Sequence, residues 1–307
     1  MSAFDAYCDI EGSIKGVVSC DEPMARHTSF RIGGPAALFV ECASVADINR
    51  SLEVIRAHGL PWCVIGKGSN LLVSDAGFPG AILTLGHEFK YFSFPDEEKG
   101  EQLLIAGAGV MLSNLVQNTF KSGYSGLEFC VGIPGTFGGA LFMNAGSATE
   151  WIGSIVDSIT VLRPDEGLVL YEGRELPWLY RRSGIPSGEI IVEGKLRVKK
   201  GHLPSIRAKM EASLRKRRKS QPLTVPNAGS VFRNPADASA GQLIDSLGLK
   251  GYTVGGARVS EVHANFIVND GQATAADVVA IIMHIRGRVK EEYGQELQPE
   301  IRFIGFE

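Results

Sequence analysis

Two glycine-rich stretches, residues 66–80 and 123–146, limit most tightly how this chain can fold, because glycine permits turns and close backbone approaches that a Cβ forbids. The first leaves an apolar run, Pro61-Trp62-Cys63-Val64-Ile65, and reads Gly66-Lys67-Gly68-Ser69-Asn70 before Leu71-Leu72-Val73-Ser74-Asp75-Ala76-Gly77-Phe78. The second contains Gly132-Ile133-Pro134-Gly135-Thr136-Phe137-Gly138-Gly139-Ala140. Glycine numbers 37 of 307 residues, above the average share of about 7%, so these stretches read as long loops rather than as parts of helices.

Around the loops the chain alternates. Ser44-Val45-Ala46-Asp47 opens a helical pattern with Val45, Ile48, Leu52 and Ile55 on one face, and Gly59 ends it. A strand-helix-strand unit therefore occupies residues 36–65. Further strand-like runs fall at 81–85, 103–106, 155–162 and 190–198. Composition turns polar at Lys199-Lys200-Gly201-His202-Leu203-Pro204, where a linker is expected, followed by helices at 205–220 and 274–292. The later helix carries Val278, Ile281, Ile282, Ile285 and Val289 at helical spacing, which marks a core face.

Size and charge exclude several classes. A chain of 307 residues suits two domains, and 44% hydrophobic with 21% charged residues is ordinary for a globular protein. A net charge of -3 offers no basic field for nucleic acid, and no apolar run approaches the roughly 20 residues of a bilayer span. The N-terminal segment MSAFDAYCDIEGSIKG has acids where an export leader would have lysines, so the cytoplasm is expected. Cys8, Cys20, Cys42, Cys63 and Cys130 are odd in number without CxxC spacing, and read as small hydrophobes rather than a disulfide framework. No carboxylate cluster accompanies the histidines, so no metal is expected.

Two features carry chemistry. Glycine-exposed N–H groups suit a pyrophosphate, and two such runs favour a bound nucleotide over tight turns alone. Neither run is a dinucleotide fingerprint, since Leu71 stands at the third glycine position of GxGxxG, and neither is a Walker loop. The second feature is Asn227-Ala228-Gly229-Ser230-Val231-Phe232-Arg233-Asn234-Pro235, which sets a hydroxyl on a glycine-flexed turn near a guanidinium and a carboxamide. A turn serine and a proton donor both fit that string. The basic run Arg215-Lys216-Arg217-Arg218-Lys219 likewise fits either a helix C-terminus or an anionic ligand.

Five strings in order, GKGSNLLVSDAGFPG at 66–80, GIPGTFGGALFMNAG at 132–146, YRRS at 180–183, NAGSVFRNP at 227–235 and AGQLIDSLGLKG at 240–251, resemble the UDP-N-acetylenolpyruvoylglucosamine reductases. The resemblance runs from His27-Thr28-Ser29-Phe30-Arg31-Ile32-Gly33-Gly34 to Pro299-Glu300-Ile301-Arg302-Phe303-Ile304-Gly305, and is closest to the shorter second type without the tyrosine-bearing substrate loop. It implies an α+β fold: an FAD-binding domain of the vanillyl-alcohol-oxidase (PCMH) type in two subdomains over 1–200, then a smaller α+β substrate domain over 201–307. It implies FAD bound without a covalent link, NADPH as co-substrate, and reduction of UDP-N-acetylglucosamine enolpyruvate to UDP-N-acetylmuramate for peptidoglycan, by a monomer that binds neither nucleic acid nor membrane.

By the same resemblance the cofactor lies against Gly66, Lys67, Gly68, Ser69, Asn70, Gly132, Ile133, Pro134, Gly135, Gly138 and Gly139. Ser230 becomes the proton donor, while Arg181 and Glu300 polarise the substrate carboxylate, Glu300 donating a hydrogen bond only when protonated, which desolvation favours. Asn234, His263 and Arg302 face the sugar nucleotide, and Arg217 or Gln221 meets its diphosphate or uracil end. Without the resemblance, Glu300 would pass as a salt-bridge partner of Arg302, Arg181 as part of a solvated turn and His263 as a satisfied core histidine. Two rival readings stay open: an FAD enzyme that uses dioxygen, and a nucleotide-binding scaffold without turnover.

Overall fold

Apolar faces at helical spacing, closed by polar caps, account for the longest helices of the computed structural model, which describes residues 2–96, 103–147 and 149–306. In Val45–Ala57 the Ser44 hydroxyl accepts the Asp47 N–H at 3.1 Å, Ile48, Leu52 and Ile55 turn inward, and Gly59 takes φ +65° just past the end. Asp47 is buried, and its carboxylate accepts the N–H groups of Lys15, Gly16 and Ala43. Ala275–Tyr293 begins with a capping box of Thr274 and Asp277 and stops at left-handed Gly294. Val278, Ile281, Ile282, Ile285 and Val289 are all buried on its inner face, each contributing about 1.5–3 kcal/mol relative to exposure.

The chain folds as two compact units, the first comprising Met1–Cys20, Leu38–Gly66 and Gly80–Arg215, the second Asp21–Ala37, Lys67–Pro79 and Lys216–Glu307. This differs from a break at 200. The expected linker contains a short strand, Lys199–Lys200, and the change of unit falls inside the Leu203–Ser220 helix. Two early segments also join the second unit, held there by hydrogen bonds to residues some 200 positions downstream: Asp75 Oδ1 and Oδ2 accept the N–H groups of Ala275 and Ala276, and Asn269 Nδ2 donates to the Phe30 carbonyl.

The first unit contains two sheets, and the core of the first also takes in Leu162, Ile190 and Val192 from strands of the second. One has the order Val17–Pro23, Pro35–Cys42, Phe78–Leu85, Trp62–Val64, with the last two strands parallel. Leu38, Val40, Ile48, Leu52, Ala81 and Leu83 pack in its core. The other is antiparallel throughout, in the order Gly167–Glu172, Val156–Arg163, Ile190–Arg197, Leu103–Gly107, Phe92–Ser93. The short Phe137–Phe142 helix lies on it at Gly194, where a Cβ would stand 2.8 Å from Leu141 and 3.0 Å from the Phe137 ring.

The second unit holds an antiparallel sheet of Thr253–Val254, Ala257–Val259 and Ile267–Asn269, and a parallel pair of Leu71–Val73 with Arg302–Ile304. Phe30, Leu72, Val231, Phe232, Ile281 and Ile285 share its core. Among the described residues no helix is long and apolar enough to cross a membrane.

Candidate active site

The serine turn is assembled in the second unit from segments far apart in the chain. Asn227 closes it: Nδ2 donates to the carbonyls of Pro222 at 3.0 Å and Val225 at 2.7 Å, and Oδ1 accepts the Gly229 N–H at 2.9 Å. Gly229 sits at φ +78° with open space where a Cβ would point, so glycine is required there by backbone conformation rather than by crowding. After the turn the chain straightens. The Val231 N–H donates to the Asn265 carbonyl at 2.8 Å, the Phe232 N–H to Asn265 Oδ1 at 2.9 Å, and Asn265 Nδ2 donates back to the Phe232 carbonyl at 2.8 Å. The buried Asn265 side chain thus serves Phe232 as a neighbouring strand would. Ser230 is half-buried between these ties, and its hydroxyl has no hydrogen bond to a described residue.

Glu300 joins the same construction. Its N–H donates to the Val231 carbonyl at 2.7 Å, beside an antiparallel bridge between Phe232 and Pro299, and the residue is only 8% exposed. Asn70 Nδ2 donates to the Glu300 carbonyl at 3.2 Å, and the Asn70 carbonyl accepts the Arg302 N–H at 2.9 Å, where the parallel pairing with Leu71 begins. Ser230, Glu300, Arg302 and Asn70 are therefore gathered by a continuous run of short backbone links. The Arg302 side chain is exposed.

His263 and Asn234 both have structural partners. His263 Nδ1 accepts the Asn265 N–H at 3.1 Å, which assigns the neutral ring's proton to Nε2, and burial holds its pKa below the ordinary value with the Lys250 charge adding to the effect. A Cβ on Gly241 would stand 2.9 Å from His263 Cε1, so the Ala240–Ser246 helix rests against the ring. Asn234 Oδ1 accepts the Ala240 N–H at 3.0 Å at the start of that helix. Arg217 and Gln221 are half-buried at the end of the Leu203–Ser220 helix, the Gln221 N–H donating to the Arg217 carbonyl at 2.8 Å, whereas Arg215, Lys216, Arg218 and Lys219 are exposed.

Arg181 belongs to the first unit. It lies at φ +57°, a conformation that costs a non-glycine residue about 1–3 kcal/mol and persists only where surrounding bonds enforce it. Those bonds are present. Leu179 and Arg182 exchange backbone hydrogen bonds at 2.9 and 3.1 Å, Asn144 Nδ2 donates to the Leu179 carbonyl at 2.9 Å, and Arg181 Nη1 donates to the Gly146 carbonyl at 3.1 Å. Buried Asn144, itself at φ +44°, also accepts the Gly153 N–H, so one amide joins the 142–153 segment to the arginine loop.

The glycine runs meet in the first unit at Gly66 and Thr136, where a Cβ on Gly66 would lie 2.3 Å from Thr136 Oγ1. The second run is stitched to residues 108–112 by Leu112 N–H to Gly135 O, Phe137 N–H to Val110 O and Gly138 N–H to Ala108 O, which leaves Gly132, Pro134 and Gly139 exposed. In the second unit Gly68 is left-handed at φ +65° with the His27 carbonyl 2.1 Å from its absent Cβ, while Lys67 is exposed. Sequence reasoning missed Asn265 and Asn144; the first lies only two residues from His263, yet nothing in its string shows that it bonds main chain 33 positions away.

Residues 36–169 match the FAD-binding domain family, which places the chain among the flavin-binding oxidoreductases. Residues 221–304 match the C-terminal domain of UDP-N-acetylenolpyruvoylglucosamine reductase. The reductase of Heliobacterium modesticaldum is 46% identical over 286 residues, covering 92% of this chain and 90% of its own. The crystal structure of the reductase from Thermus caldophilus superposes with a TM-score of 0.82 at 35% identity, over 94% of this chain and 99% of that one. A berberine bridge enzyme variant, at 12% identity and TM-score 0.50 over 65% of this chain and 44% of its own, shares the fold alone. The chain belongs to the UDP-N-acetylenolpyruvoylglucosamine reductase family, and is an FAD-dependent oxidoreductase of peptidoglycan precursor synthesis.

Proposed function

We propose that the chain reduces UDP-N-acetylglucosamine enolpyruvate to UDP-N-acetylmuramate with NADPH as the electron source. The observation that carries this reading is the 2.7 Å bond from the Glu300 N–H to the Val231 carbonyl, which sets a buried carboxyl residue beside the Ser230 turn. FAD, when bound, supplies the two-electron chemistry between NADPH and the enolpyruvyl double bond. The residues present fit it: Gly66 packs on Thr136 without a Cβ, and the exposed main chain at Gly66, Gly132 and Gly139 can approach a pyrophosphate as a side-chain-bearing backbone could not. Gly66, Lys67, Gly68, Ser69 and Asn70 on one run, with Gly132, Ile133, Pro134, Gly135, Gly138 and Gly139 on the other, would hold it without a covalent link. Asn70 would do so through main chain, its amide being committed to Glu300.

Addition of a hydride to the outer vinyl carbon puts a hydrogen and two electrons into the double bond and leaves negative charge on the neighbouring carbon, next to a carboxylate. Ser230 delivers the proton to that carbon, and its hydroxyl, engaged by no described residue, is free to turn toward substrate. Arg181 and Glu300 bind the carboxylate and draw off the developing charge, Arg181 as a permanent cation and Glu300 through a protonated carboxyl. Arg302, Asn234 and His263 orient the sugar nucleotide, and Arg217 or Gln221 its diphosphate or uracil end. A monomer is the proposed working unit, and the charge balance fits a cytoplasmic enzyme of small anions.

Anaerobic NADPH followed by the enolpyruvyl substrate tests this directly. The flavin absorbance is expected to bleach and then return. A flavin that ignores NADPH favours the dioxygen-using reading, and a colourless protein favours the scaffold.

A further inference from the structure

The string His27-Thr28-Ser29-Phe30-Arg31-Ile32-Gly33-Gly34 has no part in the proposed chemistry, yet it forms a densely hydrogen-bonded loop of the second unit. Thr28 Oγ1 donates to the Ile32 carbonyl at 2.9 Å and accepts the Ile32 N–H at 3.3 Å, closing a turn on itself. Phe30 is fully buried, and its carbonyl accepts Asn269 Nδ2 at 2.9 Å. Between these anchors Ser29 faces two ways. Its N–H donates to the Gly68 carbonyl at 3.2 Å, and its hydroxyl donates to the Asn227 carbonyl at 2.7 Å with only a long second contact, 3.5 Å, to the Gly68 carbonyl. Gly68 packs closely on the same segment, with the His27 carbonyl 2.1 Å and Thr28 Cα 2.9 Å from where its Cβ would be. Asn227 is the residue whose side chain closes the Ser230 turn.

We propose that Ser29 is a positioning residue for Ser230: its main chain fastens the Gly68 loop, its hydroxyl fastens the Asn227 turn, and so the proton donor is indexed to the loop assigned to the cofactor. This rests on the reading of Ser230 as proton donor. A side chain of one carbon and one oxygen spans the two backbones, and of the two ties only the hydroxyl one depends on residue type. Loss of the hydroxyl leaves a carbonyl of the turn without its donor, while the Gly68 tie, made by backbone, survives.

The test compares Ser29→Ala and Ser29→Cys holoenzymes with Ser230→Ala and the Ser29→Ala/Ser230→Ala double variant. Flavin bleaching by NADPH and its return on substrate addition are measured separately, together with hydrogen exchange of the amides of residues 229–231. Ser29→Ala is expected to slow the return about tenfold, the equivalent of one hydrogen bond of about 1.4 kcal/mol, and to leave bleaching at the wild-type rate. Exchange at residues 229–231 should quicken while that of the Ala275–Tyr293 helix does not. Ser29→Cys, close in size but a weak donor, should keep the fold and behave like Ser29→Ala. In the Ser230→Ala background the Ser29→Ala change should cost nothing further in the return step. If Ser230→Ala itself returns at the wild-type rate, the donor assignment fails. If Ser230→Ala is slow while Ser29→Ala and Ser29→Cys are not, or if the Ser29 and Ser230 effects multiply, the positioning role of Ser29 is overturned, as it is if Ser29→Ala slows both half-reactions alike.

Discussion

Asn265→Ala probes the scaffold of the serine turn most severely. The Asn265 side chain is the partner of both polar groups of Phe232, whose N–H it accepts at 2.9 Å and whose carbonyl it serves at 2.8 Å, and Phe232 is 1% exposed, so water has little access to either group. Each buried group left unpaired costs about 1–3 kcal/mol, and partial relaxation of the strand places the sum at about 2–4 kcal/mol. The Val231 N–H keeps its bond to the Asn265 carbonyl, so the strand should loosen rather than detach. Denaturant unfolding of the holoenzyme, with unchanged slope and a lowered midpoint, measures the loss. Asn265→Asp sharpens the experiment: it keeps the acceptor for Phe232 N–H but points a carboxylate at the Phe232 carbonyl. Protonation turns that oxygen back into a donor, so the folded state favours the neutral acid and raises its pKa; the variant's stability should be present at acid pH and fall as pH rises through that value. An Asn265→Ala protein within about 0.5 kcal/mol of wild type, the range of an inert surface change, refutes the account of this strand.

Burial and the Lys250 charge hold folded His263 below its ordinary pKa of 6.5, so the unfolded chain takes up a proton first as pH falls. The stability tied to neutral His263 is present above about that pH and lost below it; an NMR titration midpoint above the ordinary value contradicts this, and His263→Asn should flatten the slope of stability against pH. Gly68→Ala forces a left-handed alanine, about 1–2 kcal/mol of strain, against the His27 carbonyl, and should lower both melting temperature and flavin retained per chain, whereas wild-type values for both show that the 27–28 backbone yields freely.

Much of this molecule follows from local pattern. The 45–57 helix announces itself by cap, apolar period and terminal glycine and the 275–293 helix by its apolar period, and each of the four later strand-like runs falls on a strand, with ends shifted by up to three residues. What local pattern cannot express is the membership of residues 21–37 and 67–79 in the second unit. That depends on single hydrogen bonds across the chain, Ser29 to Asn227, Asn70 to Glu300 and Asp75 to Ala275, whose donors and acceptors look like any loop polar group until the fold brings them together. The compact units part company with a break at 200 for a related reason: a polar stretch marks where a chain can bend, and here the helix that follows runs on past the change of unit. Site strings were legible as strings, whereas the second duty of Asn70, to hold the Glu300 carbonyl, appeared only with the fold. Asn144 shows the same limit, since its string gives no hint that it restrains a left-handed arginine 37 positions later.

Ser230→Ala, followed in the two half-reactions separately, bears most directly on whether this hydroxyl delivers the proton. Its oxygen bonds to no described residue, so the variant should fold and melt as wild type and bleach with NADPH at an unchanged rate. Return of the flavin colour on addition of the enolpyruvyl substrate should slow about 10²- to 10⁴-fold, the usual contribution of a positioned acid. Wild-type speed in that second step, or an equal loss in both, contradicts the assignment.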